Sequence, residues 1–236
     1  NKYSIFNLNN SFLKKWEIIA SESEKSKKSL SPIKIAASGT LKADIDFKIN
    51  GKNIDAKASI KTSKGSIGNY QFDGFSFAGN LKNKIFSLDD FILKKGTGYL
   101  EAKGSATLEE GIDFKITSNN LSIDSIESAL NLSLPIKGSL NLNSTIAGKL
   151  SSPNISTEFY LKDTEIRDMY LDSVHGQIAF FDNTLNVNKL DLFSGTRKAS
   201  LKGWIPFDRQ KELSLRANLD GDNAGILLSL FKGIRW

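Results

Sequence analysis

The chain contains no cysteine, one histidine and one methionine in 236 residues. A disulfide scaffold, a thiolate zinc site, a thiol nucleophile and a multi-histidine metal centre are therefore excluded. Proline occurs four times, a scarcity that suits long β ladders, which cannot spare backbone donors. No apolar run approaches the roughly 18 to 20 residues of a bilayer-spanning helix. The longest are Ile178-Ala179-Phe180-Phe181 and Ile226 to Phe231. No basic start followed by an apolar stretch resembles a signal peptide. Hydrophobic residues make up 39% and charged residues 25%, so the chain has the material of a folded, soluble protein. Its length allows one large β domain or two modest ones. An absence of cysteine is compatible with either redox compartment.

Lys and Arg number 32 against 26 Asp and Glu, a formal charge of +6. Such a balance invites a nucleic-acid partner or anionic lipid headgroups. The distribution argues against the former. The densest run, Lys25-Ser26-Lys27-Lys28, follows Glu22 and Glu24 and reads as a solvated segment. Elsewhere lysines stand singly between apolar residues, as on the wet face of a sheet.

Period-two alternation dominates what is present. Ala43 to Ile49, Ile112 to Ile116 and Leu213 to Leu219 alternate apolar and polar without a break. Leu185-Asn186-Val187 and Leu190-Asp191-Leu192 do so around a two-residue step that suggests a bulge. Strict alternation means a sheet with one dry and one wet face. Turn residues punctuate it at Asn50-Gly51, Asp73-Gly74 and Asp182-Asn183. The expected class is all-β, a long antiparallel sheet.

Sliding the chain against itself by 99 positions aligns Gly39-Thr40-Leu41 with Gly138-Ser139-Leu140 and Phe72-Asp73 with Leu171-Asp172. Gly96-Thr97 falls on Gly195-Thr196, and Lys103-Gly104 on Lys202-Gly203. Two β repeats are therefore expected, over 33–133 and 134–236, after a tail of a preceding unit over 1–32. Each closes with a short amphipathic helix, Ile123 to Asn131 before Pro135 and Asp222 to Lys232, with a counterpart around Phe12, Leu13, Trp16 and Ile19. Trp236 falls where a further repeat would open, so a fragment of a longer repeat protein is expected.

Little in the sequence carries reaction chemistry. His175 takes the polar parity of its strand, with no nucleophile or orienting group nominated beside it. Asp89-Asp90 and Glu109-Glu110 read as polar pairs between strands, and neighbours within a strand point to opposite faces in any case. Gly96-Thr97-Gly98 lacks the phosphate-binding fingerprint and its strand-to-helix context. Five Asn-x-Ser/Thr triplets follow from an Asn- and Ser-rich composition. Trp16, Trp204 and Trp236 share no definable face and read as packing residues. The expectation is a non-enzyme without cofactor or metal.

The dry face remains. About twelve strands, each with a row of apolar side chains, would make a trough on the order of 58 Å long. A curved sheet with two or three helices cannot leave such a face bare, because large apolar patches are normally occupied or paired. Packing within a closed sandwich is the competing arrangement.

Several segments resemble a known family. Gly138-Ser139-Leu140-Asn141-Leu142 looks like the opening of a TamB-type repeat, and Gly148-Lys149-Leu150-Ser151-Ser152-Pro153-Asn154-Ile155 like its Gly-x-Leu-x-x-Pro segment. Leu171 to Phe180, Asp182-Asn183, Leu185 to Leu192 and Gly203-Trp204-Ile205-Pro206 continue the likeness. Residues 33–130 are more similar to the related AsmA-like group, since Lys52-Asn53-Ile54 stands where the Leu-x-x-Pro step would be. The resemblance implies a U-shaped, taco-like β groove with an apolar interior. It further implies a periplasmic location in a protein anchored in the inner membrane by parts outside this chain. Phospholipid acyl chains would be its cargo, and a TamA-like outer-membrane barrel protein its partner. The expected groove lining is Phe47, Phe72, Phe86, Leu88, Phe91, Leu93, Ile146, Leu171, Ile178, Phe180, Leu185, Val187, Leu190 and Leu192. A scaffold that receives outer-membrane strands at an open sheet edge is the alternative function. An adhesin-like repeat whose apolar face is simply a core is a third.

Overall fold

The computed structural model describes residues 37–220, except 51–52, 68–69, 108, 110, 125, 127–135, 167–168 and 209–210. The helices expected around 12–19 and 222–232, the lysine run 25–28, Trp16 and Trp236 lie outside the described residues. Of the helix expected over 123–131, only Ile123, Asp124 and Ile126 are described, and their backbone is helical.

Among the described residues, thirteen strands form one antiparallel sheet. They are β1 (Ala37–Asn50), β2 (Asn53–Ile67), β3 (Tyr70–Phe72), β4 (Gly74–Lys82), β5 (Ile85–Lys95), β6 (Gly98–Thr107) and β7 (Gly111–Ser122). β8 (Ile136–Lys149), β9 (Ser152–Ile166), β10 (Met169–Phe181), β11 (Thr184–Ser194), β12 (Arg197–Pro206) and β13 (Ser214–Asp220) follow. Each strand pairs with its neighbours in sequence, apart from β3, which pairs β2 beside β4. Among the described residues the sheet is open, with β1 and β13 at its edges.

Local chemistry explains the meander. The β4–β5 and β10–β11 hairpins close through Asn83-Lys84 and Asp182-Asn183, all four with positive φ. A two-residue hairpin loop of this twist needs positive φ at both positions, which Asn and Asp tolerate. The β5–β6 and β11–β12 loops open on Gly96 (φ 57°) and Gly195 (φ 59°). Each of these glycines donates its N–H to a carboxylate, Gly96 to Asp73 Oδ2 at 2.7 Å and Gly195 to Asp172 Oδ2 at 2.5 Å. Register shifts fall at Asp89-Asp90 and at Asn188-Lys189. Turn, loop, carboxylate cap and bulge thus all lie 99 residues apart in the two halves.

Asp89-Asp90 does not lie between strands as expected; it sits inside β5 as the bulge. The extra residue interrupts the alternation, so both carboxylates face the wet side. Ser76 Oγ donates to Asp90 Oδ2 at 2.9 Å, and Asn80 Nδ2 to Asp89 Oδ2 at 3.1 Å.

Candidate functional site

Cross-strand partners share a face of a sheet, so the registers can be followed strand by strand into rows. One row runs Ile45, Ala58, Gly79, Leu88, Gly104, Phe114, Ile146, Ile155, Phe180, Leu185 and Ile205. The next joins Phe77, Phe91, Ala102, Ile116, Ser144, Thr157, Ile178 and Val187. A third passes through Phe75, Leu93, Leu100, Ser118, Leu142, Phe159, Gly176, Leu190 and Leu201. A fourth carries Leu121, Leu140, Leu161, Val174, Leu192 and Ala199. Phe47 and Phe86 flank the first row on its far side, linked through Ala56 and Leu81. Phe72 adjoins the third row, its ring 6.1 Å from that of Phe75, which meets Phe91 edge-on at 5.6 Å. Leu171, paired with Thr164, extends the face beyond Val174. The fourteen expected lining residues thus share one face.

Their exposure differs along it. Leu171 (0% exposed), Leu192, Phe72 and Val187 are buried by the protein itself. Leu171 and Leu192 belong to a cluster with Ile123, Leu161, Val174 and Ala199, against which Ile136, Leu140, Phe159, Ile166, Met169 and Leu190 pack. Phe86, Leu88, Phe91, Leu93, Ile146, Ile178, Phe180, Leu185 and Leu190 are half-buried. At the β1–β2 end the face is open: Phe47 is 54% exposed and Ile49 63%, with Ile45 and Ile54 beside them. Phe207, absent from the expected lining, lies against Phe180 with ring centroids 5.7 Å apart.

The apolar rows carry one polar interruption that alternation alone did not reveal. Ser144 Oγ and Thr157 Oγ1 lie 2.8 Å apart, and Ser118 Oγ donates to the Leu140 carbonyl at 3.3 Å. These hydroxyls are small and partnered, so β7–β9 accept them at little cost.

The wet face holds a network that sequence reading also missed. Asp191, expected at a solvated position between Leu190 and Leu192, is only 4% exposed. Its Oδ1 accepts from Ser200 Oγ at 2.8 Å, and its Oδ2 lies 3.3 Å from Lys189 Nζ and 3.2 Å from Lys198 Nζ. Burial pushes this carboxyl up, but the Ser200 hydroxyl and the two ammonium groups outweigh it and hold it below the usual range. Alongside, His175 is held between the Tyr160 ring at 4.5 Å and the Phe193 ring at 5.4 Å. A shallow depression of about 350 Å³ runs past Asn141, Glu158, Tyr160, His175, Gln177 and Lys189. The described contacts of His175 are with these two aromatic rings.

Among the described residues, no group of three or more His, Cys, Asp or Glu side chains is gathered to hold a metal, and no helix is long and apolar enough to cross a membrane. No family model, curated protein or solved structure matches the chain.

Proposed function

We propose that this chain is a non-enzymatic segment of a lipid conduit, related to the TamB and AsmA-like proteins of the bacterial periplasm. Two repeats of 99 residues form the floor and walls of a U-shaped groove. Phospholipid acyl chains lie on the apolar face while their headgroups stay in water. The observation that carries this reading is the continuity of the apolar rows across the sheet together with their exposure at the β1–β2 end. Each buried methylene contributes about 0.8 kcal/mol, so a few of them hold a chain. Similar rows in successive strands leave no position much tighter than the next, which permits sliding.

The test is purification from cells without detergent, followed by native mass spectrometry and lipid extraction. Phospholipid co-purifies with the wild-type chain and in smaller amount with Phe47→Asp, a variant that keeps its fold because Phe47 is already half in water. A lipid-free, well-folded wild-type monomer removes the conduit reading. The scaffold reading, in which an outer-membrane strand adds to the sheet, is favoured by one observation of its own, the open edges at β1 and β13. It predicts that Phe47→Asp still binds strand peptides.

A further inference from the structure

We propose that the two edges of the sheet are complementary, so that β13 of one copy pairs antiparallel with β1 of a second copy and continues the sheet head to tail. This rests on the repeat reading above but not on the lipid.

β1 corresponds to β8 at the 99-residue spacing. β13 corresponds to β7 at a spacing of 101, because Gly104 stands opposite Phe114 and Gly203 opposite Leu215. Within the chain, β7 and β8 are already paired, with Ile112 opposite Gly148, Phe114 opposite Ile146, Ile116 opposite Ser144 and Ser118 opposite Leu142. The outer side of β13 and that of β1 are therefore the counterparts of a junction the fold has made once.

Carrying that register over sets Leu213 against Ile49, Leu215 against Phe47, Ala217 against Ile45 and Leu219 against Ala43. Leu213, Leu219, Ile45, Phe47 and Ile49 are among the most exposed large apolar side chains of the dry face. Pairing would bury them against one another and extend the apolar rows. On the wet face the same register places Arg216 opposite Asp46, and Asp220 comes against Lys42 at the end of the ladder, all four exposed. A slip of two residues one way sets Arg216 against Lys48 and Asp220 against Asp44. A slip the other way loses the Asp220–Lys42 pair. The charged pairs thus favour this register over the two-residue slips that also keep apolar residues together, and a one-residue slip would turn every side chain to the wrong face. The contact is heterologous, so it builds open chains of copies rather than a closed dimer.

Sedimentation velocity over a concentration series tests it. The wild-type chain associates as concentration rises. Arg216→Asp, which sets like charges opposite each other, weakens association about tenfold, and adding Asp46→Arg to the same chain restores it. Circular dichroism of each variant checks that the fold is kept. A folded wild-type chain that stays monomeric at its highest soluble concentration overturns the proposal. So does association that ignores Arg216→Asp or is not restored by the exchange, which would mean that another face makes the contact. A monomer that still carries phospholipid sinks the edge pairing alone; an associating chain free of lipid sinks the conduit alone.

Discussion

Leu171 in β10 and Phe47 in β1 point to the same side of one sheet, yet Leu171 is wholly buried and Phe47 is half in water. The difference lies in what surrounds each. Leu171 has strands on both sides and sits in a cluster that includes Ile123, beyond the end of β7, and Met169. Among the described residues Phe47 has a strand neighbour on one side only, and its partner there is Ala56, with Ala58 opposite Ile45. Large side chains facing alanines at a sheet edge have little to pack on. Alternation thus sets which face is apolar, whereas cover is set by position in the sheet and by the sizes of the cross-strand neighbours.

The most direct way to break this comparison is to truncate both residues. Leu171→Ala leaves a cavity in a packed cluster and costs about 3 kcal/mol. Phe47→Ala removes a ring that gains little from burial and costs less than about 1 kcal/mol. Urea denaturation followed by circular dichroism reads both from the shift in midpoint. Equal losses would mean that the β1–β2 end is covered in solution and that the open face does not exist there.

Asp191 sharpens the contrast from the opposite face. The position 99 residues earlier is Ile92, so the first half carries no equivalent of the Lys189–Asp191–Lys198–Ser200 network. Asp191→Asn costs about 1–2 kcal/mol at neutral pH, less than the breaking of a fully buried ion pair because both lysines can return to water. The folded-state pKa of this carboxyl is depressed. Its stabilisation is therefore complete above the ordinary Asp value of about 3.9 and is lost as pH falls through the lower folded-state value. The gap between wild type and Asp191→Asn should close in acid. A gap that persists unchanged there would show that the loss comes from geometry and not from charge.

Much of the fold was legible. Unbroken alternation at Ala43–Ile49 and Ile112–Ile116 gave the strand class and the dry face, because side-chain direction in a strand has a fixed period. The Leu185–Leu192 step was readable as a bulge for the same reason. Asp89-Asp90 was misread because two adjacent acids look like a loop, whereas a bulge lets both reach the wet face of one strand. Asp191 was missed because Leu-Asp-Leu states only that the acid faces away from the dry side; its burial comes from Lys189 on its own strand and from Lys198 and Ser200 on β12. The closed end of the apolar face was likewise hidden, since covering Leu171 and Leu192 requires Ile123 to come over them from beyond β7.

The closed end of the dry face also contains a flaw. Thr164 in β9 is completely buried opposite Leu171, directly after Asp163, which holds φ at 50°. Its Oγ1 has no hydrogen-bond partner. A buried hydroxyl without a partner loses its hydration for nothing in return. Valine has nearly the same shape and no such group, so Thr164→Val should stabilise the fold by about 1 kcal/mol or less. The shift in urea midpoint should be upward and should leave the slope unchanged. A neutral or downward shift would mean that the hydroxyl finds water inside the cluster. The face would then be less dry where it is most closed, and the contrast with Phe47 would narrow from that side.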